Sequence, residues 1–277
     1  MERRALLKKI LAYIFVAVIL VALYFPVYWL ITMSFKVRID IMSIPPRWFF
    51  QPTLANFSWL FNHYNLQNAV VTSVIVALSA TLISLALGIP CAFALARFTI
   101  PRKKDIEFWI ATTRMLPPVA VIIPFYFIWM SLRLLDTRTS LVITYLVINL
   151  PLIIWIMMGF FRALPRELEE ASRVDGASRW GSFLRITLPL ALPGIGASSI
   201  LSFIFNWNEF FFAFVLTTTN RTLPVEVASF MAVGLEVKYG EMAAAGVLAS
   251  IPSLIFAILA RKLIVTGFRG IAGFTMK

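Results

Sequence analysis

Few residues of this 277-residue chain are equipped for covalent chemistry. It holds one cysteine, Cys91, and one histidine, His63. No disulfide can close within the chain, and a His/Cys metal site would need more ligands than exist. His63 stands in a polar stretch ahead of an apolar block, where a solvated or interfacial imidazole is expected, and no nucleophile–base–orienter set can be built around it. No glycine precedes a lysine, so the chain lacks a Gly-x-x-x-x-Gly-Lys-[Ser/Thr] loop for nucleotide phosphates. The expectation is a chain with no catalytic residues, no metal and no cofactor of its own. What remains is a small set of polar and ionisable residues inside apolar blocks: Arg114, and the run Asn206, Trp207, Asn208, Glu209. A charge at the centre of a bilayer costs about 2.5–3.5 kcal/mol on insertion scales, so these groups must face protein, water or a ligand. Two readings stay open: Arg114 pairs with Glu209, or both line a polar pathway.

The surrounding sequence is built to sit in a membrane. Sixty per cent of residues are hydrophobic and 14% are charged, against about half and a quarter in soluble domains. The apolar residues fall in blocks near 10–35, 68–96, 107–131, 138–161, 184–216 and 242–266, each long enough for a helix to cross roughly 30 Å of hydrocarbon. The first block follows Arg3, Arg4, Lys8 and Lys9 but is too long for a signal-peptide core and has no small-residue cleavage site, so it is read as a retained span. The prediction is an all-α integral membrane protein of six helices. Residues 1–67 supply the first helix and an external Pro- and Trp-rich loop, and residues 68–277 supply a five-helix core. With both termini in the cytoplasm, 17 of the 25 Lys and Arg fall on inside segments and 7 on outside loops, which sets the orientation. That distribution also accounts for the net charge of +12 without nucleic acid. Pro117 and Pro118 should break the third block, and Pro189, Pro193, Gly194 and Gly196 the start of the fifth. Broken backbone at membrane depth needs protein or a water-filled cavity to satisfy it.

The inside segment between the fourth and fifth blocks, residues 162–189, has its own design. Pro165 suits the first turn of a helix, and Glu167, Glu169 and Glu170 suit its positive end. Leu164, Leu168, Ala171 and Val174 recur at helical spacing. Gly176 should end this helix, and a second amphipathic piece, Trp180 to Ile186, leads back to the membrane. A short helix, a glycine turn and a second helix facing the cytoplasm has the shape of a docking element, with Ala171, Gly176 and Ala177 small enough for close approach.

Glu170-Ala171, then Gly176, then Ile186-x-Leu188-Pro189 resembles the EAA motif of bacterial ABC importer permeases: Glu-Ala-Ala, three residues, Gly, nine residues, Ile-x-Leu-Pro. The spacing agrees at each step, with Ser172 in place of the second alanine. Thr113-Arg-Met-Leu-Pro-Pro118, Asp136-Thr-Arg138, Asn149-Leu-Pro151 and Asn206-Trp-Asn-Glu-Phe210 are similar to the carbohydrate-importing branch, the group of the maltose permease component MalG. The resemblance covers almost the whole chain from Asn68, and Met115-Leu-Pro-Pro118 with Leu135-Asp-Thr-Arg138 looks most like the sugar-alcohol group. It implies a permease in a bacterial inner (plasma) membrane. Glu170, Ala171, Asp175, Gly176, Ala177, Ile186, Leu188 and Pro189 would couple to the ATPase. Arg114, Asn206, Trp207, Asn208 and Glu209 would border the pathway for a sugar or polyol. The implied partners are a second homologous permease, two ATP-binding cassette subunits that hold ATP and Mg, an external binding protein, and membrane lipid. An anionic sugar derivative would suit Arg114, and an ion-coupled secondary transporter is the rival from another class, though Arg114 and Glu209 are its only two good candidates for ion coupling and no inverted repeat is evident. The tail Gly267–Lys277 departs from the family's small-residue ending, which leaves a tail contact with the ATPase in question.

Overall fold

The computed structural model describes residues 2–63, 66–229 and 238–275. Among these residues the structure is helical throughout, without strands. It divides into two compact units, one of Met1–Leu66 with Val227–Ile251, the other of Gln67–Glu226 with Pro252–Lys277.

The first unit opens with α1 (Glu2–Ser34), whose apolar stretch Lys9–Ser34 contains a window of mean hydropathy 2.7 and is exposed from Lys9 to Tyr28, while its last turns, from Trp29 to Ser34, are partly covered. A helix apolar on all sides and exposed over most of its length is suited to lipid or to another membrane chain. After α2 (Arg38–Ile41) and an extended segment comes α3 (Ala55–His63). The predicted external loop is therefore partly helical, and its polar groups are paired. Lys36 is buried, donates from Nζ to the Arg47 carbonyl (2.8 Å), and lies 4.8 Å from the ring centres of both Trp29 and Phe50. Asn56 donates to the carbonyls of Ser34 and Lys36, both at 2.9 Å. His63 is exposed and stacks on Trp59.

The second unit opens with α4 (Leu66–Arg97). Next, α5 (Lys103–Thr113) and α6 (Pro118–Ser131) meet at 90°. The predicted break lies where the sequence requires it: a residue before proline is driven out of the helical region, and Pro117 sits at ψ 130 ahead of Pro118. Then come α7 (Arg138–Ala163), α8 (Glu167–Val174), α9 (Arg179–Ser182), a π-helical turn (Phe183–Thr187) and α10 (Leu188–Leu190). They are followed by α11 (Leu192–Trp207), α12 (Phe211–Leu216), α13 (Leu223–Ser229) and α14 (Tyr239–Thr275). Pro189 cannot donate to the carbonyl four residues back, and the wide turn before it, in which Leu188 N–H reaches the Phe183 carbonyl, takes up the mismatch. The segment Arg179–Leu190 meets α11 at 72°.

Among the described residues four helices are long and apolar enough to span a bilayer, and the two bent pairs together bring the number to six if each counts as one span. The fifth apolar block is not one helix to residue 216; it stops at Trp207 and restarts as α12. The backbone of the C-terminal tail continues α14 to Thr275, and Met276 and Lys277 lie outside the described residues.

Two apolar clusters hold the second unit. One joins Phe93 of α4, Met157 and Phe161 of α7, and Phe183 of the π turn. The other joins Val76 of α4, Trp129 of α6, Tyr145 of α7, and Phe212 and Leu216 of α12. Gly194 lets α11 close on α7, since a Cβ there would stand 2.5 Å from Phe160 Cγ. Small residues at such crossings let backbones approach where no hydrophobic effect draws helices together.

Candidate functional site

The segment between α7 and α11, predicted to face inside, folds into a helix–turn–helix element. The first helix starts at Glu167, two residues later than Pro165 suggested, with Glu167, Glu169 and Glu170 in its first turn. Its end is closed by two backbone hydrogen bonds. Gly176 N–H donates to the Arg173 carbonyl (3.1 Å) and Ala177 N–H to the Ser172 carbonyl (3.0 Å), with Gly176 at φ +90. This is a Schellman arrangement, and its left-handed residue favours glycine. A Cβ on Gly176 would meet nothing of this chain within 4 Å, so backbone conformation, not crowding, selects glycine here. Ser178 then caps α9, its Oγ accepting from Gly181 N–H at 3.0 Å. Ser172, the departure from the Glu-Ala-Ala pattern, binds the two helices together: its hydroxyl donates to the Glu169 carbonyl (2.8 Å) and contacts Ser182 Oγ (2.6 Å).

Glu170, Ala171, Asp175, Gly176 and Pro189 are exposed; Ala177, Ile186 and Leu188 are half-buried. The apolar stripe is packed at its start, where Leu164 meets the core, and open at its end: Val174 of α8 is 88% exposed, and Trp180 of α9 is 57% exposed. The underside is anchored instead. Phe183 packs on Phe93 (4.4 Å between ring centres), and Arg97 at the end of α4 donates to Glu169 Oε1 (2.7 Å) and to the Leu164 carbonyl (2.9 Å). A small-residue surface on a firmly held, outward-facing element is suited to receive a partner.

The intramembrane candidates do not form one surface. Asn206 and Trp207 are buried. Asn149 of α7 donates to Asn206 Oδ1, and Asn206 Nδ2 donates to Thr81 Oγ1 of α4 at 3.0 Å, so this amide ties three helices together. Trp207 stacks on Phe203. Asn208 is exposed and ends α11, donating to the Ile204 carbonyl. Glu209 accepts from the N–H groups of Phe212 (2.9 Å) and Ala213 (3.2 Å), capping α12. Arg114, at the α5–α6 break, is exposed with its guanidinium 5.4 Å from the centre of the Phe205 ring. It edges a cavity of about 330 Å³ with Ile110, Ala111, Pro151, Leu152 and Trp155. The Arg114–Glu209 ion pair is absent: Glu209 is engaged by backbone amides, and Arg114 sits over an aromatic face.

Other polar groups hold the site from a distance. Asp136, between α6 and α7, accepts from the N–H groups of Thr218, Thr219 and Asn220 and from both threonine hydroxyls. Burial opposes its charge, but the hydrogen bonds from Thr219, Asn220 and Thr218 outweigh it and hold the carboxyl well below the usual range. Arg138 donates to Asn68 Oδ1 (2.7 Å) and Thr72 Oγ1 (3.1 Å), joining α7 to α4. Asp136 and Arg138 were legible only as parts of a resembling stretch, and nothing local to Arg97 or Glu169 identified them as a pair.

Residues 84–270 match the family described as binding-protein-dependent transport system inner membrane component. The chain is 31% identical over 269 residues to the sulfoquinovosyl glycerol transport system permease protein SmoH of Agrobacterium fabrum, covering 94% of this chain and 92% of that one. It is likewise 31% identical over 269 residues to the trehalose/maltose transport system permease protein MalG of Thermococcus litoralis, covering 96% of each. Its fold is similar to a chain in the crystal structure of a bacterial ABC transporter involved in the import of the acidic polysaccharide alginate, with TM-score 0.76, 22% identity, and 92% and 96% of the two chains covered.

Proposed function

The chain belongs to the family of binding-protein-dependent transport system inner membrane components, and from that premise we propose that it forms one half of the membrane pathway of an ATP-driven importer for a sugar, sugar alcohol or related glycoside. The observation that carries the reading is the α8–α9 element. It has the motif's residues, a glycine in the left-handed turn, and an apolar stripe whose end, at Val174, is open to solvent or a partner. ATP and Mg are held by two ATPase subunits, which close on nucleotide and displace the element. A second homologous permease completes the pathway, and an external binding protein delivers the solute. The chain works by passing one two-state motion to another, not by reacting with its solute. The family lies in a membrane; the bacterial inner membrane, with α8 inside and residues 36–67 outside, is the assignment that the basic residues favour.

A second reading concerns the solute's charge. Arg114 is exposed at the edge of a mostly apolar cavity with one aromatic, Trp155, and no carboxylate among its lining residues, and a relative is named for sulfoquinovosyl glycerol. A guanidinium there would favour an anionic sugar through paired hydrogen bonds.

Reconstitution in proteoliposomes with the cognate permease, ATPase and binding protein tests the proposal. ATP hydrolysis should rise when sugar-loaded binding protein is added, with uptake of that sugar. An assembled complex that ignores every sugar, polyol and sugar sulfonate offered would refute it. In a Cys91-free chain, cysteine at Ser172 should be labelled only from the cytoplasm and cysteine at Gln51 only from outside; reversed labelling refutes the orientation.

A further inference from the structure

The ion pair beneath the α8–α9 element is placed unlike an ordinary surface pair. Arg97 is the last residue of α4, a 32-residue helix. Its side chain is 5% exposed, and that of Glu169 is 17% exposed. One guanidinium edge meets Glu169 Oε1 at 2.7 Å and another nitrogen meets the Leu164 carbonyl at 2.9 Å. Leu164 is the C-cap of α7 and Glu169 lies in the first turn of α8. A single side chain of α4 therefore grips both ends of the joint between α7 and α8.

We infer that Arg97 is a positioning residue for coupling: through Glu169 and the Leu164 carbonyl it makes the inner end of α4 follow the α8–α9 element when the ATPase moves it. This deepens the reading above by naming the helix that the element drives, and it rests on that reading. Three observations carry it. First, a buried ion pair is poor evidence of stability, because desolvation offsets the Coulomb attraction; what this geometry supplies is direction, a planar fork spanning two fixed acceptors. Second, α8 is otherwise free on its outer face, with Val174 88% exposed, so the inner contacts alone determine what its motion drags. Third, α4 carries further polar contacts toward its other end, on both of its faces. Thr81 meets Asn206 of α11, and Asn68 and Thr72 meet Arg138 of α7. A displacement at Arg97 is thereby delivered along one helix to the polar clamp of three helices and to the outer end of α7. The aromatic packing of Phe93, Phe161 and Phe183 adds cohesion, but rings slide past one another where a fork-shaped ion pair does not.

The test uses the full assembled complex and reads the ratio of ATP hydrolysis with loaded binding protein to hydrolysis without it. Arg97→Gln removes the charge and one arm of the fork, and should lower that ratio on the order of tenfold while the ATPase stays bound. Arg97→Lys keeps the charge but reaches only one acceptor, and should fall between Gln and wild type. A merely structural role would lower complex yield and leave the ratio of the surviving complexes unchanged. A wild-type ratio in Arg97→Gln, or equal ratios in Lys and Gln variants, overturns the inference. Should Arg97→Gln not accumulate, Glu169→Gln is read in the same assay: a lowered ratio supports the role of Arg97 and an unchanged one overturns it. Absence of stimulation in the wild-type complex would instead sink the coupling reading on which the inference depends.

Discussion

If the α8–α9 element docks on an ATPase as proposed, replacing Gly176 by valine should weaken that grip without harming the membrane bundle. The turn holds residue 176 at φ +90, and a Cβ there would touch nothing else in the chain. The cost is therefore conformational: about 1–2 kcal/mol for an L-residue in the left-handed region, at the upper end for a β-branched one. A free loop escapes this strain by leaving the Schellman turn, giving up the bonds from Gly176 to Arg173 and from Ala177 to Ser172. Re-forming the turn at the interface then costs the same amount, so apparent affinity falls about 5- to 30-fold. Gly176→Asn is the control, because asparagine tolerates the left-handed region and should lose much less. The assay is retention of purified ATPase by the detergent-solubilised permease pair across a titration, with melting of the pair followed in parallel. Valine binding as tightly as glycine, or asparagine failing as badly as valine, would refute the argument that backbone conformation at this one residue controls docking.

Asn206→Leu should strand the Asn149 amide and Thr81 hydroxyl inside the bundle and cost about 1–3 kcal/mol; thermal melting that does not move would show the three-helix clamp to be idle. Arg114→Gln and Glu209→Gln should have stability effects that add within about 0.3–0.5 kcal/mol, because the residues do not touch; strong non-additivity in the double variant would restore the ion pair. The Asp136 carboxyl has a depressed folded-state value, so its stabilisation is present above the ordinary carboxylate range and fades as pH falls through the lower folded value. Asp136→Asn should accordingly be less stable than wild type at pH 7, with the gap closing below about pH 4; a gap that persists or widens in acid would contradict this.

The parts of the fold written in local sequence were legible, and the parts written in long separations were not. Twenty-residue apolar blocks fix where helices lie because bilayer thickness sets their length. Pro117-Pro118 and Pro189 marked both bends because proline acts on its own backbone neighbours. Gly176 marked the loop's turn for the same reason. The pairing of Arg97 with Glu169 spans 72 positions, and the clamp of Asp136 spans more than 80. Any of 25 basic residues could have met any acid, and only the packing of α4 against the joint of α7 and α8 selects this one. The structural roles of Trp207 and Glu209 were hidden for a related reason. Their residue types suit a ligand as well as a helix end, and it took the break at Asn208 to show Glu209 capping the next helix.

The first unit has a consequence for the order in which the protein is made. Its pieces, Met1–Leu66 and Val227–Ile251, lie on either side of the long central segment. At about 5–20 residues per second, the ribosome leaves roughly 8–30 s between finishing the first piece and starting the second. During that interval Gly246, which faces Leu30 of α1 in the finished chain, has not been made, and the exposed length of α1 from Lys9 to Tyr28 has lipid or the insertion machinery for company. A newborn chain therefore passes through a stage in which its first span is inserted but unclaimed, open to degradation or to capture by another nascent membrane protein. Synonymous codon changes that slow translation across residues 67–226 should lengthen that stage and lower the yield of intact protein without altering a single amino acid.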